Sequence, residues 1–435
     1  MLALLGLSIF TFAVQRTPVD PDNPFSRVIT WLTYVPRFVH DTWNDLRTDP
    51  FGPSRVPDEF GDRARYQPVD NHTPYRIEGL VMRKGPSASA PEPGWRVLYG
   101  IFRIDGEPQY AALALSPRFA IEHVWLVDHD VLSESGETVG AAYFPHGFAV
   151  LRDGSILAGF DDHYRTVRVG ACGKRIWTSE ARLNHAIYPV DGDRFAWGVG
   201  AEDHLQKIDL RTGRIAQDIS IEDLRRANPD LTVLEMRRID DNALGLNTRG
   251  DAGAYHPDAY HANDAEPLPP ELAARFPGFR AGDLLISLRS LNLVAVVDPH
   301  TRKIKWLTNS HTLRQHDPDW EPDGTISVFD NQMGRKFSRV VNYDPRTDQY
   351  RTILNGSSMN FYSRIRGKQQ LLGSGAMLVS SAEQGRVFEL GRDGKVSSEI
   401  LIHDPENPGK NFVFSEAIHF APDDPLFEKV KSCPR

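Results

Sequence analysis

From about residue 75 onward, apolar and polar positions alternate in short runs separated by turns, and the runs come in pairs. Six pairs consist of a β-branched or apolar run, a turn with Asp, Pro, Thr or Gly, and a second run. They are YAALALSPRFAIEHVWLV (110–127), YRTVRVGACGKRIWTS (164–179), LQKIDLRTGRIAQDI (205–219), LVAVVDPHTRKIKWL (293–307), RVVNYDPRTDQYRTIL (339–354) and GRVFELGRDGKVSSEIL (385–401). Each reads as an antiparallel hairpin. Upstream of four of them a second layout repeats, in which a histidine precedes an apolar run, a tight turn and another apolar run. The copies are His146-GFAVLRDGSILAGF, His185-AIYPVDGDRFAWGV, His261-ANDAEPL…AGDLLISLR and His316-DPDWEPDGTISVF. The histidine leads the turn aspartate by seven residues at Asp153, six at Asp191 and seven at Asp323. The third copy carries a longer insert before Gly282-Asp283.

Two hairpins per unit make about four strands in roughly 40–50 residues, the repeat of a β-propeller blade. The pattern predicts an all-β, six-bladed propeller over 76–422, with units near 78–128, 144–180, 184–220, 260–308, 314–355 and 361–402. The tail FVFSEAIHFAP (412–422) adds a strand to the first unit, and residues 221–259, partly helical in pattern, form an insertion. A 1–20 apolar anchor or signal-like segment and a 21–75 helical or irregular lead-in precede the propeller. A 423–435 tail follows it.

In such a ring the first strand of each blade lines the central channel, so residues at matching positions come to one height. His146, His185, His261 and His316 are therefore expected to converge. In the sixth unit the matching stretch FYSRIRGKQQLL offers Tyr362, Arg364, Arg366, Lys368 and Gln369. Arg289, six residues after Asp283, lies at the end of its strand or on the next turn. Period-two alternation puts Asn263 on the face of His261 and turns Asp317 away from His316. Asp330-Asn331, after TISVF, reads as a strand-end turn. A lone histidine at a strand start is ordinarily structural, but four at one place of a repeat argue for a site. Imidazoles beside a guanidinium suit an anionic substrate, since Arg offers a planar fork of donors and keeps its charge. Neutral histidine serves as nucleophile or base near pH 7.

Composition changes this picture little. The 435 residues carry 58 acids against 50 bases, net −8, with no basic patch for a nucleic acid. There is no P-loop or GxGxxG stretch, and the site requires neither a metal nor a nucleotide cofactor. Cys172 and Cys433 define no framework, so a bridge between them and two separate thiols both stay open. The opening MLALLGLSIFTFAV is shorter than the roughly 20 residues of a spanning helix. It predicts attachment to a membrane through the N-terminus, with the body facing the periplasm or cell exterior.

The stretch HANDAEPLPPELAARFPGF-RAGDLLISLRSLNLVAVVDPHTRKIKWL, followed by RQHDPDWEPDGTISVFDN and FYSRIRGKQQLL, resembles the bacterial arylsulfotransferase family, whose members use aryl sulfates rather than a nucleotide donor. The resemblance covers roughly residues 140–402 and is most specific over 260–331. It implies a six-bladed propeller with its active site in the central channel. It implies ping-pong transfer of a sulfuryl group from an aryl sulfate donor to a phenolic acceptor through a sulfohistidine. Position by position, His316 matches the sulfated nucleophile, and His261 with Asn263 match the H-x-N pair at the sulfuryl oxygens. Arg289 matches the sulfate-neutralising arginine. His185 is taken as the further catalytic histidine, with His146 competing. His146, Tyr362 and Arg364 are expected to contact substrate. Two other readings compete: a metal-dependent propeller enzyme with a multi-histidine site, and a non-catalytic, envelope-associated binding propeller.

Overall fold

The computed structural model describes residues 54–55, 65–127, 144–160, 165–236, 259–406, 410–412 and 414–433. The expected anchor over 1–20, nearly all of the lead-in up to residue 64, and residues 237–258 of the insertion lie outside the described residues. Among the described residues no helix is long and apolar enough to cross a membrane.

The chain is all-β, in a propeller arrangement of antiparallel sheets. The alternation seen in sequence explains how the sheets stack. In the neighbouring strands Leu284–Leu288 and Leu293–Val297 every residue is buried. Leu284, Ile286, Leu288, Leu293, Ala295 and Val297 pack towards Trp197, Val199 and Leu205 of the preceding sheet. Leu285, Val294 and Val296 point the other way, against Ile326, Val328 and Val341 of the next. A strand buried on both faces reads as a continuous apolar run. Each large aliphatic side chain so enclosed contributes about 1.5–3 kcal/mol. Outermost strands such as Gln349–Asn355 are largely exposed and polar.

One eight-stranded sheet consists of two four-stranded antiparallel halves, Pro145–Val150 to Arg175–Thr178 and Asn184–Val190 to Arg214–Ser220. They meet through the parallel pair Ala186 and Phe148. The strands beginning at Ala262 and at His316 each head a four-stranded sheet. Tight Asp-Gly turns recur at the end of the leading strand. Gly154 and Gly324 adopt φ of +83° and +82°, and the preceding Asp153 and Asp323 accept the backbone N–H of Ser155 and Thr325.

The ends of the propeller are tied by strands from both termini. Phe414–Phe420 pairs antiparallel with Trp95–Ile104, where the tail was expected. Leu80–Lys84, which the sequence pattern placed in the first unit, pairs instead with Val396–Ile402 of the last sheet, and Gln67–Pro68 pairs outside it. The helix Leu426–Lys431 then buries Leu426, Phe427 and Val430, and Phe427 stacks on Trp95 at 4.2 Å. Beyond it Cys433 is disulfide-bonded to Cys172, 261 residues away. The described part of the insertion starts with the helix Ile221–Ala227, closed by a capping box between Ser220 and Asp223.

One irregularity recurs and positions the site. The innermost strands shift register near their beginning, between Pro145 and Phe148, Asn184 and Ile187, Ala262 and Asp264, His316 and Pro318, and Phe414 and Glu416. A β-bulge of this kind bends the strand and re-aims a side chain. It includes His146 and His185, starts at His316, and begins one residue after His261.

Candidate active site

Several residues around the ring adopt the left-handed region, two of them, His185 and Asp317, within the bulges. His185 has φ of 60°, His261 49°, Asp317 50° and Arg366 57°. Each such non-glycine residue costs on the order of 1 kcal/mol or more, a strain that persists only where surrounding contacts over-determine it. Here the strain turns imidazoles inward. The rings of His146 and His185 lie 3.8 Å apart, centroid to centroid; His185 is 5.4 Å from His261 and 5.9 Å from His316. His146, His185 and His316 are buried and line one small cavity with Asn263, Arg366 and Lys368.

Two guanidinium groups act on this ring. Arg289 stands at the start of the 3-10 turn Arg289–Leu291, anchored by its backbone N–H on the His261 carbonyl at 3.0 Å. Its charge, after burial, is the largest cause that holds the His316 imidazolium well below the usual imidazole range. Arg366 donates to the Pro145 carbonyl at 3.2 Å, lies over Phe144, and adds its field to His185. Burial first, and then His146, His261 and His316, push the His185 pKa well down. His185 and His316 are therefore neutral near pH 7, and a neutral imidazole keeps a lone pair for nucleophilic or base work.

The Nδ1 atoms of both rings are held by asparagines. His316 Nδ1 meets Asn331 Oδ1 at 2.7 Å, and His185 Nδ1 meets Asn184 Oδ1 at 2.6 Å. Asn331 stands at the end of the strand Ile326–Asp330, as the sequence suggested, and its side chain in addition reaches the His316 ring. Asn263 donates to the Gln315 carbonyl at 2.8 Å, and its buried Oδ1 has no hydrogen-bond partner among the described residues. Tyr362 and Arg364 do not line the cavity. The Tyr362 hydroxyl accepts from Gly334 N, and Arg364 extends outward to Glu383 with its side chain 56 % exposed. From that segment Arg366 and Lys368 reach the cavity instead. They frame Gly367, with φ of +98°, where an added Cβ would meet the Phe329 ring.

Beside the imidazoles lies a layer of buried acids around one lysine. The Lys368 ammonium donates to Asp317 at 2.9 Å and is 3.6 Å from Glu416. The Tyr188 hydroxyl donates to Asp264 at 3.0 Å. Asp317 faces the same cavity as His316, against the alternation rule, because it is the extra residue of the bulge between His316 and Pro318. Burial, as the largest cause, raises the carboxyl pKa values of Asp264, Glu266 and Asp319 well above the carboxylate range, so burial favours the protonated forms of these three groups. Among the described residues no three His, Cys, Asp or Glu side chains are arranged to hold one metal ion.

Glu321 shows how that layer acts on stability. Burial pushes it up from 4.5 to about 7 while it accepts from the Ser327 hydroxyl at 2.6 Å. The folded protein binds this proton more tightly than the unfolded chain, so stability falls as pH rises from about 4.5 through about 7. Glu321→Gln keeps an acceptor for Ser327 and removes the titration. The variant is expected to match the parent in urea denaturation at pH 4. It should exceed the parent at pH 8 by up to about 3 kcal/mol. Equal stabilities at pH 8 would show that Glu321 ionises normally.

A family model described as Arylsulfotransferase (ASST) matches residues 132–402. No curated protein matches the chain. Among solved structures, that of a protein of unknown function from Bacteroides caccae aligns at 10% identity and a TM-score of 0.45, over 76% of this chain and 99% of that one. Hydrazine synthase from Kuenenia stuttgartiensis aligns at 13% identity and a TM-score of 0.36, over 57% of this chain and 77% of that one. The family match spans more than half of the 435 residues: this chain belongs to the arylsulfotransferase (ASST) family.

Proposed function

We propose that the protein transfers a sulfuryl group from a phenolic sulfate ester to a phenol, in two steps, through a sulfohistidine at His316. The observation that carries this reading is a buried, neutral His316 under the field of Arg289, within a cluster of imidazoles. In the first step the His316 lone pair attacks sulfur, the S–O bond to the aryl oxygen breaks, and the leaving phenolate takes a proton from the neighbouring imidazole that the acceptor reprotonates in the second step. In the second step an acceptor phenol gives its proton to a neighbouring imidazole, its oxygen attacks sulfur, and the N–S bond breaks. His261 is the proton carrier in this scheme, with His185 beside it. Asn263 and Arg289 hold the sulfuryl oxygens, and His146 borders the same space. A sulfate ester resists nucleophiles because its oxygens carry negative charge. Positioning and charge neutralisation supply most of the acceleration, as in phosphoryl transfer.

The fold reading that accompanies this is a six-bladed ring over 76–422, counting the eight-stranded sheet as two blades and completing the first blade with Phe414–Phe420. We place the protein in the bacterial periplasm or at the cell exterior, because a disulfide persists in oxidising compartments.

The test is to incubate the protein with a chromogenic aryl sulfate without acceptor and measure its intact mass. One bound sulfuryl group, discharged on adding a phenol, is the expected result; turnover with no covalent species overturns the two-step scheme. Arg289→Ala should slow sulfuryl transfer to the protein by about 10²–10³-fold, the cost of one preorganised oxyanion donor. Arg289→Lys should recover only part of it, since a point charge cannot reproduce the planar fork. An Arg289→Ala protein that is charged at the parental rate would remove Arg289 from the site.

A further inference from the structure

We infer that Asn331 is a positioning residue that fixes the proton of the His316 ring on Nδ1 and thereby presents the Nε2 lone pair to the electrophile. The inference deepens the sulfuryl-transfer reading and takes from it only the identity of the electrophile.

The argument rests on what each atom can donate. The Asn331 amide nitrogen lies 2.9 Å from the Ser363 carbonyl oxygen and 2.6 Å from the Arg366 carbonyl oxygen. Neither oxygen has a hydrogen to give, so both must be accepting, and the NH₂ end of the amide must face them. That settles the orientation of a group whose two ends otherwise look alike. The amide oxygen then faces His316 Nδ1 at 2.7 Å. An amide oxygen accepts only, so Nδ1 must carry the hydrogen. His316 is buried and lies under the Arg289 charge, so its ring bears one proton, not two. With that proton on Nδ1, Nε2 keeps its lone pair. The opposite tautomer would set the Nδ1 lone pair against the amide oxygen inside the protein, leaving both unsatisfied.

Asn331 is also completely buried, and its backbone carbonyl accepts from the Ser338 hydroxyl at 3.1 Å. It follows the strand Ile326–Asp330, whereas Ser363 and Arg366 lead into Lys368–Leu371 of the next sheet. The same side chain therefore joins the nucleophile of one sheet to the segment that brings Arg366 into the ring. The device has a parallel at Asn184 and His185, where the spacing is 2.6 Å.

The decisive measurement is nitrogen NMR of selectively ¹⁵N-histidine-labelled resting protein, with the His316 signals assigned by their absence in His316→Gln. A protonated Nδ1 and unprotonated Nε2 are expected; a proton on Nε2 overturns the inference. No sulfate donor is present, so the result stands apart from the activity. A protein with the expected tautomer and no aryl sulfate turnover would sink the sulfuryl reading and leave this one intact. Asn331→Ala should populate both tautomers and lower the rate of charging by about 10–100-fold, with donor KM changed less than kcat. Parental kcat with a mixed tautomer would overturn it. Asn331→Asp keeps an acceptor and adds a negative charge, so the acidic limb of the kcat/KM profile should move to higher pH. An unmoved profile would show that residue 331 does not act through the imidazole. Should either variant fail to fold, the tautomer in the parent protein decides alone.

Discussion

His316→Ala is expected to lower kcat for acceptor-dependent release of phenol from an aryl sulfate by on the order of 10⁴–10⁶-fold, the loss seen when the nucleophile of a cooperating set is removed. The expectation is this large because the other groups of the ring have no reaction to assist once the attacking nitrogen is gone. Arg289 can still neutralise a bound sulfate, so donor binding should weaken far less than turnover. The His316→Ala protein should also stay uncharged in the intact-mass experiment. Added imidazole should restore part of the activity by occupying the vacated space. His146→Ala should be milder, because that ring meets His185 and does not touch the reacting nitrogen in this scheme. A His316→Ala protein that still forms the covalent species would assign the nucleophile to another imidazole, with His185 the first to examine, since it lies within 6 Å of the other three rings.

The convergence of His146, His185, His261 and His316 was legible because a repeated unit carries its side chains to equivalent places. Repetition says nothing about local irregularity. Alternation with period two sent Asp317 away from His316, yet both line one cavity, because the register slips between His316 and Pro318. Only partner strands reveal a bulge, and a single chain does not display its partners. Asn331 was missed for a related reason. It stands 15 positions from His316 in sequence, after a strand whose end looks like any other, and its meaning lies in contacts to Ser363 and Arg366 of the next sheet. The sixth unit has no histidine to set its register, so the sequence offered Tyr362, Arg364, Arg366, Lys368 and Gln369 together and took Tyr362 and Arg364 as substrate contacts, whereas Arg366 and Lys368 line the cavity. Leu80–Lys84 misled through proximity. It lies close in sequence to the first hairpin but joins a sheet whose four blade strands come more than 280 residues later.

The disulfide gives the second large expected effect, on stability rather than chemistry. Cys172 lies on the turn between Val167–Val169 and Arg175–Thr178, and Cys433 follows the C-terminal helix. That helix continues the strand Phe414–Phe420, which pairs with Trp95–Ile104. Its own hold is modest: three buried side chains, the Phe427–Trp95 stack and a Lys429 hydrogen bond to the Arg152 carbonyl at 2.8 Å. The bridge closes a loop of 261 residues, for which chain entropy sets a stabilisation of up to about 5 kcal/mol. Reduction, or Cys433→Ser, should therefore lower Tm by roughly 5 °C. Cys172→Ser and the double substitution should each give the same shift, because all remove one bond. Below the melting range, kcat should stay within about twofold, because the bridge touches none of the ring residues. Opening should begin where the last strand meets the first sheet, so limited proteolysis of the reduced protein should release the C-terminal segment first. A Tm indifferent to reductant would mean that strand pairing alone closes the propeller. Thiols that react with a maleimide in the unreduced, folded protein would show that the bridge does not form, and with it would go the argument for an oxidising compartment.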